Sequence, residues 1–526
     1  MRRDGGLDGG GASPGSRYAA ARPNPRRTVA DTQTADTQTA DSRALREERR
    51  QESRTAAQHF MVGAGFLVLA GELQLLALLS LRFDNLFPIS YGRLAPMADF
   101  TMMIGFVAVS LIGGAYYALP RLTGARLWGR DLAVSSLVGL TAAVFVGLFS
   151  IAFGAGGARQ PFGLPWWLDA VLVFLLAAPA LVAVGTVANR VERRSYVTIW
   201  FLIGGLLWLP LLYLTYLSGA LPYFHSIAVE YHNVFFSAGF TTMFVFTVGT
   251  GLLYYTMVKE LDVPLASRQL ALIGFWSLGL ASVWWGDAQL LFGPSPEWVS
   301  GVGAALGLAF PVGALANAAN ISLSLEGAWD EVREQPAVRA GVVGAYLGVG
   351  VAVMAALAGF RSIASVTSLT AFWEAVEYAA LAGVGALLVA SVAFAAMPRL
   401  INRRLPVNRA KAFITLTLTG AVGVLVSMSA AGVVSGYSWV GGSNAVAYVD
   451  AGEGWAAGLG SGVDNLMLIA ALFAALTFTG QVVYATAVIG PAFSGETAPA
   501  GEPAEVGEPA EVGEPAEVEE PAEVEE

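Results

Sequence analysis

Between Phe60 and Val488 the chain alternates long apolar runs with short polar connections. Twelve runs can be drawn, at roughly 60–82, 97–119, 132–154, 167–188, 196–221, 231–257, 269–292, 298–324, 340–360, 367–397, 411–435 and 464–489. Each approaches the about 20 residues that a helix needs to cross a ~30 Å hydrocarbon layer. No run alternates with period two over ten-residue stretches, so a transmembrane β-barrel is excluded. The pattern predicts an all-α integral membrane protein with twelve transmembrane helices.

The connections set the expected orientation. Those after even-numbered runs carry fifteen bases, from Arg121 and Arg126 through Arg333 and Arg339 to Arg409 and Lys411. Those after odd-numbered runs carry four: Arg82, Arg93, Arg159 and Arg361. Positive residues collect on the cytoplasmic side of a membrane, and Arg43–Arg54 ahead of the first run agrees with that side. Both termini are therefore expected in the cytoplasm, with the protein in the plasma membrane and the Gly-rich Tyr437–Val463 connection outside.

Composition supports the membrane reading and divides the chain into three parts. Charged residues are 13% of the whole, against roughly 25% in soluble domains. Residues 58–500 hold only 19 bases and 21 acids. Residues 1–57 read as a disordered N-terminal arm containing the repeat ADTQTADTQTAD, with no apolar leader before Phe60. Residues 58–492 form the membrane domain. Residues 493–526 repeat GEPAEV and read as an extended acidic tail, because regular proline and dense like charge oppose a packed core. Eleven of the 40 acids lie in the last 25 residues, so the net charge of −10 is a property of the tail and gives no support for a nucleic-acid partner. Cysteine is absent, which removes disulfides, thiolate nucleophiles and Cys-ligated metal; histidine occurs only at 59, 225 and 232.

Ionisable side chains inside a span are costly and usually mark function. Here they are Glu72, Asp99, Asp169, His232, Asp287, Glu374, Glu377 and Asp464. Asp169, His232 and Asp464 fall close to a span end, where solvation accounts for them. Glu72, Asp99, Asp287 and Glu377 lie deeper and must be neutral, paired or facing water. Glu374 and Glu377 share a helix face. With Asp99, Asp287 and Gln289 they form a candidate polar cavity or proton path; neutral carboxyls bonded between helices are the alternative. Trp298 and Trp329 fit interfacial anchoring.

Five motifs, in order, then carry a resemblance over roughly residues 60–435. They are ISYGRLAPMADFTMMIGFVAVSLIGGAYYALPRL at Ile89–Leu122, Tyr231-His232-Asn233, and Pro296-Glu297-Trp298. Gly327-Ala328-Trp329 with Arg333, Pro336 and Arg339 is the fourth, and Met397-Pro398-Arg399-Leu400 the fifth. Together they resemble the catalytic subunit I of haem-copper oxidases, in particular the cbb-type cytochrome c oxidase branch. The resemblance implies a twelve-helix bundle, haem b and copper as cofactors, and respiratory-complex subunits beside the lipid bilayer as partners. It lays the low-spin haem ligands on Ala98 and Glu377, and the high-spin haem ligand on Ala375. The copper ligands fall on His232, Ala288 and Gln289, and the active-site tyrosine on Phe292. Five of the six ligand positions thus hold no histidine; His232 is the surviving metal-ligand position. Haem iron needs an axial imidazole, thiolate, thioether or phenolate. Met97 and Tyr378 are adjacent to lost positions, but neighbours on a helix point about 100° apart. His232 with Asp287 and Gln289 could make a weak metal site or a plain His–carboxylate hydrogen bond.

The resulting expectation is a degenerate cytochrome c oxidase subunit I-like protein, a pseudoenzyme serving as a non-catalytic or accessory component of a respiratory or denitrifying electron-transfer complex. One alternative is a haem-binding terminal oxidase or nitric oxide reductase-like subunit with altered ligands. The other is a proton or small-solute conduit through the emptied cofactor cavity.

Overall fold

A computed structural model describes residues 25–83, 87–157, 159–440 and 455–494. Residues 441–454 of the long Gly-rich connection and nearly all of the acidic tail lie outside these described residues. The chain divides into a unit spanning Met1–Gln51 and one spanning Glu52–Glu526. The described part of the first, from Pro25, is helical. Among the described residues the second is an all-helical bundle.

We number the long helices α1 (Pro25–Arg82), α2 (Tyr91–Thr123), α3 (Arg130–Ala152), α4 (Trp166–Ala188), α5 (Val197–Ser218) and α6 (Ile227–Leu261). They continue as α7 (Arg268–Trp284), α8 (Glu297–Ser324), α9 (Pro336–Ala358), α10 (Ala371–Ile401), α11 (Val407–Val440) and α12 (Trp455–Val488). Among the described residues, 11 segments are long and apolar enough to cross a membrane. The chain is a multi-pass membrane protein.

The run at 269–292 is the one of the twelve not among those 11. Its α-helix has 17 residues and then tightens into the 3-10 segment Trp285–Leu290. Phe292 beyond it takes a φ of 67°, turning the chain before Pro294. The tightening accompanies a close backbone approach: a Cβ on Gly286 would stand 2.4 Å from the Val234 carbonyl oxygen.

Helix α1 is described from Pro25, and Thr55, Ala56 and Ala57 are buried within the unit that begins at Glu52. The stretch ALREERRQESRTAA is rich in strong helix formers, which extends the membrane helix backwards. The run at 367–397 begins instead at Ala371. A short helix, Arg361–Thr367, ends before Leu369 at φ 59°, and the Thr370 side chain caps the new helix at the Phe372 amide.

The innermost helices are α2, α6 and α10, whose apolar windows are wholly or almost wholly buried. Each contains a π-helical segment near mid-length: Thr101–Ala108, Phe240–Phe246 and Ala379–Gly385. They converge at Gly385, where an added Cβ would lie 3.4 Å from Val245 and 3.5 Å from Val107. The α10 sequence AALAGVGA supplies the small residues against which the Val245 and Val107 side chains pack.

Small residues also set the α11–α12 pairing. A Cβ on Gly420 would lie 2.8 Å from the Phe473 carbonyl oxygen and 2.7 Å from the Thr477 amide, so backbone lies against backbone there. Gly420→Val is therefore expected to destabilise the protein by about 1–3 kcal/mol, whereas Gly462→Ala, with nothing within 4 Å, leaves it unchanged. Thermal melting of both variants in detergent checks this; equal melting temperatures would refute close α11–α12 contact.

Candidate functional site

At the end of the bundle that carries α2, α6 and α10 N-termini, a cavity of about 560 Å³ opens between the innermost helices. Its wall combines Tyr91, Ala98 and Asp99 from α2, Glu230 and Asn233 from α6, and Glu374, Glu377 and Tyr378 from α10. Gln74 from α1, Gln289 from the 3-10 turn and the α3–α4 connection from Gly154 to Gly163 complete it. The sequence places this end at the base-poor connections.

Four of the candidate cavity residues are thus brought together: Asp99, Gln289, Glu374 and Glu377. Tyr91 donates its hydroxyl to Glu374 Oε2 at 2.9 Å, tying the first turn of α2 to the first turn of α10. Glu377 lies one turn deeper, and its Oε1 is buried without a hydrogen-bond partner. Gln74 Oε1 and Asn233 Oδ1 are likewise buried and unpartnered in protein contacts, while Asn233 Nδ2 donates to Glu230 at 3.2 Å. The buried unpartnered atoms of these three side chains are acceptor oxygens, which a hydrogen-bond donor such as water would satisfy.

Asp287 is not part of that wall. It is half-buried beneath α8, where a Cβ on Gly303 would stand 2.8 Å from its own Cβ. His232 does not bond to it. The His232 Nδ1 pairs with the Ala228 carbonyl at 2.5 Å, and its ring packs on Phe224 with centroids 4.5 Å apart. The imidazole is turned toward the α5–α6 connection because Gly219 leaves room against its Cβ. The expected His–carboxylate bond is thereby replaced by a helix-internal one. Glu72 takes no part in the cavity either; it lies on the exposed face of α1.

Asp169 departs furthest from its expectation. Instead of being solvated it is fully buried, paired with Arg159 and bonded by the Tyr213 hydroxyl at 2.9 Å. Arg159 also donates to the Tyr216 carbonyl at 2.5 Å and lies over the Tyr216 ring at 3.8 Å. Fully satisfied on both sides, this pair pins the α3–α4 connection onto α5, and that connection forms one side of the cavity. Sequence reasoning missed Arg159, Gln74 and Tyr91. Arg159 looked like a loop base, and the ten-residue spacing to Asp169 carries no helical phase that would join them.

The residues present do not fit a haem or a copper ion. Ala98, Ala288 and Ala375 are buried alkyl groups, and none offers a donor atom. Among the described residues no group of three or more His, Cys, Asp or Glu could hold a metal. The buried imidazole of His59 is engaged elsewhere, with Nδ1 on the Thr55 carbonyl at 2.8 Å and its ring edge-on to Tyr116.

A solved heme-copper terminal oxidase dimer has this fold: a chain of it superposes with a TM-score of 0.66 over 85% of both chains, at 12% identity. Residues 54–458 match the family described as "Cytochrome C and Quinol oxidase polypeptide I", and the chain belongs to that family. Cytochrome c oxidase subunit 1 of Rhodobacter capsulatus is 27% identical over 334 residues, covering 59% of this chain and 60% of the relative. A cytochrome c oxidase subunit 1 homolog of Azorhizobium caulinodans is 27% identical, covering 67% and 66%. The Cbb3-type cytochrome c oxidase subunit CcoN1 of Stutzerimonas stutzeri is 24% identical, covering 48% and 54%. The chain thus spans about half to two thirds of the length of these relatives.

Arg159→Leu leaves a buried carboxylate unpaired and is expected to cost about 3–5 kcal/mol. Arg159→Leu with Asp169→Leu is expected to cost less than the single change, since both charges leave together. Melting temperatures of the two variants test this, and a double variant less stable than the single one would refute the pairing.

Proposed function

We propose that this protein is a non-catalytic member of its family, an accessory membrane component of a respiratory or denitrifying electron-transfer complex. The observation that carries this reading is at the cavity. Ala98 and Glu377, the positions onto which the resemblance lays the two axial ligands of the low-spin haem, line the same cavity. The scaffold that would face two imidazoles toward one another is retained, and neither side chain is an imidazole. An alkyl group and a carboxylate set among amides and acids suit water, not an iron porphyrin. Electron transfer through this chain has no carrier in that case, and its contribution is structural or concerns protons.

A second reading draws on the lining itself. Asp99, Glu374, Glu377 and Gln289 place acceptors from the mouth inward, so the cavity could serve as the entrance of a proton or small-solute path. The plasma membrane, with both termini in the cytoplasm, is the location that the distribution of bases supports.

The reduced-minus-oxidised absorption spectrum of the purified protein tests the first reading. Wild type is expected to lack haem bands, whereas Ala98→His with Glu377→His is expected to acquire a six-coordinate b-type spectrum. Near-stoichiometric haem in the wild type would overturn the assignment. Isolation free of every respiratory component would overturn the accessory role. Asp99→Asn and Glu377→Gln variants with unchanged proton flux in vesicles would remove the conduit reading.

A further inference from the structure

The Gly327-Ala328-Trp329 linker with Arg333 and Arg339 contributes nothing to the cavity; it lies at the opposite, base-rich end of the bundle. There the short helix Trp329–Glu334, the first turns of α9 and the start of α11 enclose a second recess of about 540 Å³. Its rim is cationic, with Arg333, Arg339 and Lys411, against one acid, Glu334. Its wall is apolar and aromatic, with Trp329, Val343 and Tyr346.

Two features show what such a recess takes. Arg339 is half-buried, and among the described residues its guanidinium has no hydrogen-bond or ion-pair partner. A guanidinium without a protein partner is free to take an anion, and its planar fork matches the oxygens of a phosphate. The neighbouring bases are held loosely: Lys411 Nζ lies 3.3 Å from Glu334, and Arg333 lies 3.1 Å from Asp330 in a highly exposed pair. Exposed pairs of this kind are weak, so both cations can turn toward an incoming anion.

The second feature is direction. Arg339, Val343 and Tyr346 stand at i, i+4 and i+7, on one face of α9. The recess therefore descends about 10 Å from charge to hydrocarbon depth. At its foot the Tyr346 hydroxyl is already bonded to Ser322 at 2.7 Å, leaving the ring as an apolar surface. A free anion would use only the rim. An amphiphile with a charged phosphodiester and a chain uses both.

We propose that this recess is a binding site for an anionic phospholipid. The phosphodiester is held by Arg339, with Arg333 and Lys411 beside it, and one acyl chain lies along Val343 and Tyr346. Basic recesses between membrane helices are suited to such headgroups, and Trp329 stands at the height where indole rings favour the interface. The site is independent of whether the family's cofactors are present.

The test uses the full chain, purified in detergent and stripped of lipid, with bound lipid counted by native mass spectrometry and melting followed in parallel. Phosphatidylglycerol is expected to bind and raise the melting temperature where phosphatidylcholine does not. Arg339→Gln is expected to raise the phosphatidylglycerol concentration for half-saturation by about five-fold or more. Arg193→Gln, an exposed base at the same end, is expected to leave it unchanged. Val343→Trp keeps every cation and blocks the chain wall, so it is expected to weaken phosphatidylglycerol while sparing any response to inorganic phosphate. Equal losses in the Arg339 and Arg193 variants would overturn the proposal in favour of general surface charge. Stabilisation by inorganic phosphate equal to that by the lipid would overturn it in favour of a small-anion site. Should Arg339→Gln fail to fold, the Val343→Trp comparison decides: undiminished lipid binding there would overturn the proposal.

Discussion

The approach of α2, α6 and α10 at Gly385 is the contact on which the rest of the bundle depends. In hydrocarbon there is no water to satisfy a loose backbone, so helices that meet must do so as complete hydrogen-bonded cylinders. Association among them relies on fit, because lipid is as apolar as the side chains. Three π-helical segments, each widening its helix locally, come together where α10 offers mostly alanine, glycine and valine. The same device recurs at Gly420, so both the centre and the last hairpin are held by the absence of bulk rather than by polar bonds.

Polar bonds matter instead at the margins. The Arg159–Asp169 pair, bound on every side by Tyr213 and Tyr216, is an expensive arrangement that withstands its burial only because every partner is present. It fixes a connection that has no secondary structure of its own, and thereby gives the cavity a wall. Tyr91 with Glu374 does a similar service between two helix starts. Ala98 and Glu377, onto which the resemblance lays two of the family's haem-ligand positions, line the cavity that these clasps border.

Much of the fold was legible because span length and apolar content are strong signals: eleven of the twelve runs correspond to membrane-length helices. The departures have local causes. Residues 269–292 read as one span; they fold as a 17-residue α-helix followed by a 3-10 segment, beside a close approach at Gly286 that hydropathy does not register. At the site, Asp99, Gln289, Glu374 and Glu377 were legible as ionisable or amide groups within apolar runs. Asp287 and His232 met the same criterion and lie elsewhere, since depth along a helix is readable from sequence while the direction a side chain faces depends on its neighbours. Arg159 illustrates the converse: a loop residue acquires its role only when the loop folds inward.

The cavity also has an electrical position. Asp99 stands eight residues below Tyr91, about 12 Å along α2 from its first turn, in a layer ~30 Å thick. A proton or cation resting against it has entered the membrane's field without crossing it. A full crossing is worth about 2.3 kcal/mol per charge at 100 mV, and two fifths of the way corresponds to roughly 0.9 kcal/mol by the same scale. The occupancy of this chamber would therefore follow the energised state of the membrane, as a capacitor's charge follows voltage, even in a chain through which no current passes.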